Sequence, residues 1–313
     1  MTLKTIFLGT PALAVPFLEV LAEKTNVLEV ITNPDQPAGR GYEVREPPVK
    51  QAAARLGLPV RQPATLKDPA ALAPFQALQP DLAVVVAYGK LLPKPILETA
   101  KQGFLNVHFS LLPAYRGAAP IQWALINGER ETGVTLFWLD EGMDTGPIFL
   151  QKKRAVEDQD AESLRRNLVA SGVAALQEAI SLIEAGQIRR QPQTGEPSRA
   201  PLLKKEDGHI DWQQPAGRIL NLIRGTTPWP GAYGQLHQHE KSTTLKIIRA
   251  EVVAESAEGA AGSIVRVDSG AGFIVKCGQN SLRITQVQPE GKKAMPAWDF
   301  WQGARLKPGD QLR

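Results

Sequence analysis

Leu82-Ala83-Val84-Val85-Val86-Ala87 is an unbroken apolar run in which every second position is as greasy as its neighbour. A strand with one wet face alternates, so a run without alternation predicts a strand covered on both faces, as in a parallel sheet. Upstream lie a strand pattern at Leu3–Leu8, a helical pattern at Val15–Leu21, a strand at Val27–Ile31 and an alanine-rich helix at Val49–Leu56. Downstream come strands at Phe104–Val107 and Val134–Trp138, with a helix from about Ala118 to Ile126 between them. Leu164, Leu168, Leu176, Ile180 and Ile183, at three- and four-residue steps and their multiples, predict a long helix over Glu162–Ile183. Strands alternating with helices predict an open, mostly parallel α/β sheet.

The texture changes after Gly186. Residues 189–205 (RRQPQTGEPSRAPLLKK) are broken by prolines and carry five basic side chains, the composition of a linker. Beyond them Asp211–Ile223 has a helical pattern. Short strand patterns follow at Thr244–Ile248, Ser263–Val267, Phe273–Cys277 and Leu282–Val287, with glycines in the turns, and predict a small β-barrel. The expected division is 1–188, a basic linker 189–205 and 206–313. A length of 313 residues suits two domains at roughly 100–200 residues each.

Composition removes several classes. With 43% hydrophobic and 22% charged residues the chain can bury a large core and is not globally disordered. No apolar run approaches the roughly 20 residues of a bilayer span. A single cysteine, Cys277, excludes a disulfide framework and a cysteine-rich zinc site. Gly9-Thr10-Pro11 interrupts the apolar Ile6-Phe7-Leu8 too early for an export signal, so the expected compartment is the cytoplasm. Leu8-Gly9-Thr10-Pro11 lacks the G-x-G-x-x-G pattern, and there is no Walker lysine motif, which argues against nicotinamide or ATP use. A net charge of +4 is compatible with an anionic partner without specifying one.

Two stretches carry chemistry. Asn106 and His108 are two apart at a strand end, so their side chains share a face where open α/β sheets bind ligands. A lone histidine there is more often structural, and Asn106 alone could be a turn former. The second stretch, Leu139 to Ile148, puts Asp140, Glu141 and Asp144 in a glycine-flanked loop after the next strand, expected to leave the same sheet edge. Asp140 and Glu141 read as a solvated turn, while Asp144 could approach His108. The trio suits transfer of a one-carbon acyl unit between nitrogens. An amide can donate to the developing oxyanion. A group titrating near neutrality can move the proton between amines. A carboxylate can orient the imidazole. Neither a metal nor a covalent nucleophile is required.

The run NVHFSLLPAYRGAAP (106–120), with MDTGPI (143–148) after it, resembles the signature of the tetrahydrofolate-dependent formyltransferases. With LGTPALAVPFLEVL (8–21), PDQPAGRG (34–41), VVVAYGKLLP (84–93), DGHIDW (207–212) and TTPWPGAY (226–233), the chain is similar nearly end to end to the branch of that family that formylates initiator methionyl-tRNA. The resemblance implies a Rossmann-like N-terminal domain and a C-terminal OB-fold-like barrel that binds tRNA. It implies catalytic roles for Asn106, His108 and Asp144. It places 10-formyltetrahydrofolate, the co-substrate, against Tyr88, Gly89, Lys90, Leu91 and Leu92 and against Ser110, Leu111, Leu112 and Pro113. No metal is implied. The loop 34–50 departs from the family, reading GRGYEVREPPVK at 39–50 where a Pro-Ser-Pro run is commoner before Val-Lys.

A tRNA substrate needs cations. The resemblance gives Arg40 the greatest weight as an acceptor-stem contact. Arg45 and Lys50 share its loop, and the linker adds Arg189, Arg190, Arg199, Lys204 and Lys205. Lys241, Lys246, Arg249, Lys292, Lys293, Arg305 and Lys307 are further candidates in the barrel, and most surface lysines merely solvate. Two other readings compete. A formyltransferase with a small acceptor, such as an amino-sugar nucleotide, would not require the second domain and basic linker. A non-catalytic RNA-binding protein would not need to retain the trio. The expected state is a monomer.

Overall fold

The computed structural model describes residues 2–38, 43–238, 241–254 and 258–313. Its contacts divide the chain into two compact units. One comprises Met1–Pro120, Glu131–Ala155 and Arg166–Pro201. The other comprises Ile121–Arg130, Val156–Arg165 and Leu202–Arg313. The change of unit at 201/202 lies inside the expected linker 189–205, and two short inner segments group with the C-terminal residues.

The first unit is built on a seven-stranded sheet in the order Val60–Arg61, Asn26–Ile31, Lys4–Gly9, Leu82–Val86, Phe104–His108, Glu131–Trp138, Ile148–Ala155. The first five strands run parallel, Glu131–Trp138 runs against them, and Ile148–Ala155 pairs antiparallel with Glu131–Trp138 and so runs with the first five. All five residues of Leu82–Val86 are buried, as the unalternating run requires. Ile6, Leu8, Ala83 and Val85 pack with Phe75, Tyr88 and Phe104 in one apolar cluster. Residues 166–184 of the helix Ala161–Glu184 belong to this unit, and the helix comes close through Gly172, where a Cβ would stand 2.9 Å from the Phe17 ring. Asp160 starts that helix by accepting the Ser163 amide at 2.8 Å. Gly186, at φ 73°, lies just beyond it.

Residues 189–205 are mostly exposed, yet they are no free tether. Gln191 exchanges backbone hydrogen bonds with Ile148, and the Ala200 amide donates to the Arg116 carbonyl while its carbonyl accepts from the Ala119 amide. Ala200 and Leu203 are buried. The sequence missed the strand Ile148–Ala155, whose outer half is exposed and highly charged.

The second unit is an antiparallel sheet whose path runs Ile264–Asp268, Gly272–Lys276, Ser281–Pro289, Lys241–Val253, Ala232–Gln238, Gln311–Leu312. It curls until backbone bonds between Gly262 and Leu312 and between Ile264 and Asp310 join its two ends. This is the OB-fold-like barrel. Trp212, Ile219, Ile223, Ile247, Phe273 and Ile284 fill it together with the fully buried Cys277. The helix expected from Asp211 starts at Ala216, after Pro215. Asp211 instead caps a turn, its carboxylate accepting the Gln213 amide at 3.0 Å. A second helix, Ala297–Ala304, was not legible among the strand patterns.

Candidate functional site

Two neighbouring parallel strands set the site. The strand ending at Val86 passes into Ala87, at φ 48°, and then Tyr88, while the next strand ends at His108. Beyond these ends lies a cavity of about 400 Å3 lined by Tyr88–Leu92, Asn106, His108, Gly117, Ala118, Met143 and Asp144, among others. That volume lies in the range of small-molecule sites. Asn106 is half-buried, and among the described residues its side-chain amide makes no hydrogen bond, so it is free to donate into the cavity.

His108 is 5% exposed. Its Nε2 lies 2.9 Å from the Tyr115 carbonyl oxygen and its Nδ1 lies 3.6 Å from Oδ2 of Asp144. A carbonyl only accepts, so in the neutral ring the hydrogen sits on Nε2 and Nδ1 is the nitrogen that gains or loses a proton. Burial pushes His108 below the ordinary histidine range, while Asp144 and the Tyr115 carbonyl pull it part of the way back. Asp144 Oδ2 also accepts the Gly117 amide at 2.8 Å. Tyr115 and Asp144 both hold left-handed backbone, at φ 61° and 55°. Ala87 and Asp144, two of the six non-glycine residues with positive φ among those described, line this one cavity, and a third, Tyr115, binds His108 beside it.

The route by which Asp144 arrives corrects the sequence reading. Glu131–Trp138 runs antiparallel to Phe104–His108, with His108 opposite Thr135 and Leu105 opposite Trp138. The acidic loop therefore leaves from the opposite sheet edge, where the Leu139 amide bonds to the Phe104 carbonyl. It then folds back over the sheet to reach His108. Gln193 secures this return. Its Nε2 donates to the backbone oxygens of Asp144 (2.8 Å) and Gly146 (2.9 Å), and its Oε1 accepts from the Arg116 guanidinium at 2.7 Å. Nothing in the sequence singled out Gln193, a polar residue in a polar stretch.

Tyr88, Gly89, Lys90, Leu91 and Leu92 all line the cavity with the trio. Leu91 and Met143 are exposed apolar residues there. The Tyr88 hydroxyl is buried without a partner among the described residues, and burial pushes it up to about 12. The Lys90 ammonium is tied back to the carbonyls of Pro63 and Ala64. Ser110, Leu111, Leu112 and Pro113 do not line this cavity. Past His108 the chain turns toward the antiparallel strands. Ser110 Oγ donates to the Ala114 carbonyl, the Leu112 amide donates to Thr135 Oγ1, and the Leu112 carbonyl accepts from Gln151. These residues brace the turn that presents Tyr115 and Gly117.

Among the expected tRNA contacts, Arg40 lies outside the described residues. Arg45, Lys204 and Lys205 are exposed and form no ion pair among the described residues. Lys50, by contrast, is held by Asp35 at 2.6 Å and Glu46 at 2.9 Å. Lys246 donates to the Pro230 carbonyl, and Arg190 stacks on Trp138. Among the described residues no group of three or more His, Cys, Asp or Glu is placed to hold a metal ion.

The chain matches the formyl transferase family over residues 3–180 and the formyl transferase C-terminal domain over residues 202–305. It is 48% identical to the methionyl-tRNA formyltransferase of Thermodesulfovibrio yellowstonii over 306 residues, which covers 97% of each chain. It is 45% identical to that of Geobacter metallireducens, covering 99% of this chain and 98% of the relative. Among solved structures, HypX from Aquifex aeolicus in complex with tetrahydrofolic acid superposes with a TM-score of 0.62 at 17% identity. That match covers 96% of this chain but only 47% of HypX, and it speaks to fold alone.

Proposed function

Because the chain belongs to the methionyl-tRNA formyltransferase family, we propose that it transfers formyl from 10-formyltetrahydrofolate to the α-amine of methionine on initiator tRNA. The observation that carries this reading is the convergence of Asn106, His108 and Asp144 on one cavity. The amine nitrogen bonds to the formyl carbon, whose oxygen takes up negative charge. Asn106 Nδ2 donates to that oxygen. His108, kept neutral by burial, takes the proton lost by the amine on Nδ1, and Asp144 faces the imidazolium so formed. As the carbon–nitrogen bond to the folate breaks, that proton ends on the folate nitrogen. Atoms and charge balance without a metal or a covalent intermediate.

The folate ring system is assigned to the Tyr88–Leu92 side of the cavity, where Leu91, Leu92, Leu97 and Met143 give an apolar lining that suits a heteroaromatic ring. Ser110–Pro113 would serve the site indirectly, by bracing the turn that presents Tyr115 and Gly117. The tRNA is assigned to the domain 206–313 and to Lys204, Lys205, Arg45 and Arg40, on the strength of the family and of the exposed, unpaired cations among them that are described. A cytoplasmic monomer is the state assigned. The work on charged tRNA supports the compartment, and sedimentation at micromolar concentration tests the monomer.

The deciding experiment mixes purified protein with formyl-labelled 10-formyltetrahydrofolate and with methionine-charged initiator or elongator tRNA. Label is expected in the initiator alone. Label in a free amino-sugar nucleotide and none in tRNA would overturn the acceptor.

A further inference from the structure

Asp144 is usable only if its loop, launched from the wrong sheet edge, is held in its folded-back course. Asp144 sits at φ 55°, in the left-handed region that side chains seldom adopt, and its surroundings hold it there. Its side chain has the Gly117 amide for this purpose. Its backbone has Gln193. That amide bridges the carbonyls of Asp144 and Gly146, two residues apart, so it fixes the 144–145 and 146–147 peptide planes. Gln193 is itself aimed by Arg116, whose Nε and Nη2 lie 3.2 and 2.7 Å from Oε1. Arg116 stands between Tyr115, which binds His108, and Gly117, which binds Asp144. Ser198 holds the same turn by accepting the Tyr115 amide on its hydroxyl at 2.8 Å and the Arg116 amide on its carbonyl at 2.9 Å.

We propose that Gln193 is a positioning residue for the reaction, locking the Asp144 loop and the Tyr115–Gly117 turn into one frame that fixes the His108–Asp144 distance. The proposal rests on the catalytic reading of Asp144 and goes beyond it, since residues 189–205 read as a linker and Gln193 does not itself line the cavity. All of the side chain's hydrogen-bonding atoms are in use: two N–H donors go to two loop carbonyls, and the carbonyl accepts one guanidinium. Neither glutamate, which cannot donate, nor methionine, which does neither, can replace it.

The test uses the full chain. Gln193→Met keeps the length of the side chain and removes both donors. We expect kcat to fall about 10- to 100-fold, as misplacement of a catalytic group does, with KM for folate and for tRNA within about twofold by the same reasoning. The pH at which His108 titrates, read from its ring proton by NMR, is expected to fall because Asp144 no longer faces Nδ1 at the same distance. In an Asp144→Asn background the same substitution is expected to cost less than about twofold, since residues acting through one another are not additive. Gln193→Glu, a second variant of native size, should lose kcat as the methionine variant does.

Full kcat in Gln193→Met overturns the proposal, as does an undiminished loss in the Asp144→Asn background or an unmoved His108 titration. If Gln193→Met does not fold, Gln193→Glu with wild-type kcat overturns it equally. If Asp144→Asn itself keeps full activity, the fault lies with the catalytic reading rather than with Gln193.

Discussion

The amide of Gly117 donates to Oδ2 of Asp144 at 2.8 Å, and that same oxygen is the one that faces Nδ1 of His108. A backbone donor has no rotamers to choose among. The carboxylate is therefore aimed by a peptide plane, and the position of that plane depends on the conformation of Gly117. Its φ is 128°, and a Cβ there would stand 2.5 Å from the Ala200 carbonyl oxygen.

Gly117→Ala is expected to fold less stably and to react more slowly. The side chain can enter only by moving either the 117 peptide or the Ala200 strap, at a cost of about 1–3 kcal/mol. Thermal unfolding should come several degrees earlier, at roughly 2–4 °C per kcal/mol for a unit of this size, and kcat should fall as Asp144 loses its donor. An alanine variant that melts and turns over like the parent would show that the close approach to Ala200 is not rigid.

Removal of His108 deletes the group that takes the amine proton. His108→Ala is expected to lose about 10²–10⁴-fold in kcat, measured by transfer of labelled formyl to charged initiator tRNA. Asp144→Asn, which preserves shape but not charge, should fall in the same direction. A near-parental rate in purified His108→Ala would end its assignment.

Stability should depend on pH through the same ring. Burial holds His108 below the ordinary value of 6.5 in the folded chain. Below about pH 6.5 the unfolded chain therefore binds a proton that the folded chain still refuses. The stability from keeping the ring neutral is fully present above that pH. It is lost as pH falls toward the folded value, and the loss is complete beneath both. Melting temperatures of the parent and of His108→Asn between pH 8 and 5 should show the parent losing more on acidification. The reverse order would mean that Asp144 outweighs burial.

The sequence made legible what repeats locally. Leu82–Ala87 announced a doubly covered strand because every position in it is apolar. Asn106 and His108 announced a shared face because alternation fixes it. Asp144 was found, but for the wrong geometric reason. Strand direction is a tertiary property, and no side chain in Glu131–Trp138 records that it runs against its neighbour. Ser110–Pro113 belong to the same motif as His108, yet they face Thr135 and Gln151 on the antiparallel strands, partners that exist only after folding. Gln193 was invisible for a similar cause. Its side-chain bonds reach residues 47 to 77 positions away, and its immediate neighbours are ordinary linker residues.

The tRNA side yields a prediction that separates free cations from occupied ones. Lys204 and Lys205 are exposed and unpaired among the described residues, whereas the Lys50 ammonium is held by Asp35 and Glu46. A lysine that meets a phosphate releases counterions, and its loss lowers the slope of log affinity against log salt by about one. A Lys204→Ala, Lys205→Ala double variant is therefore expected to raise KM for tRNA and lower the salt slope by up to about two, with folate KM unchanged. Lys50→Ala should leave the slope where it was, because its charge is already matched by two carboxylates. Titration of tRNA binding between 50 and 200 mM salt reads both variants. An equal drop in slope from Lys50→Ala, or none from the double variant, would move the nucleic-acid contact away from residues 204–205.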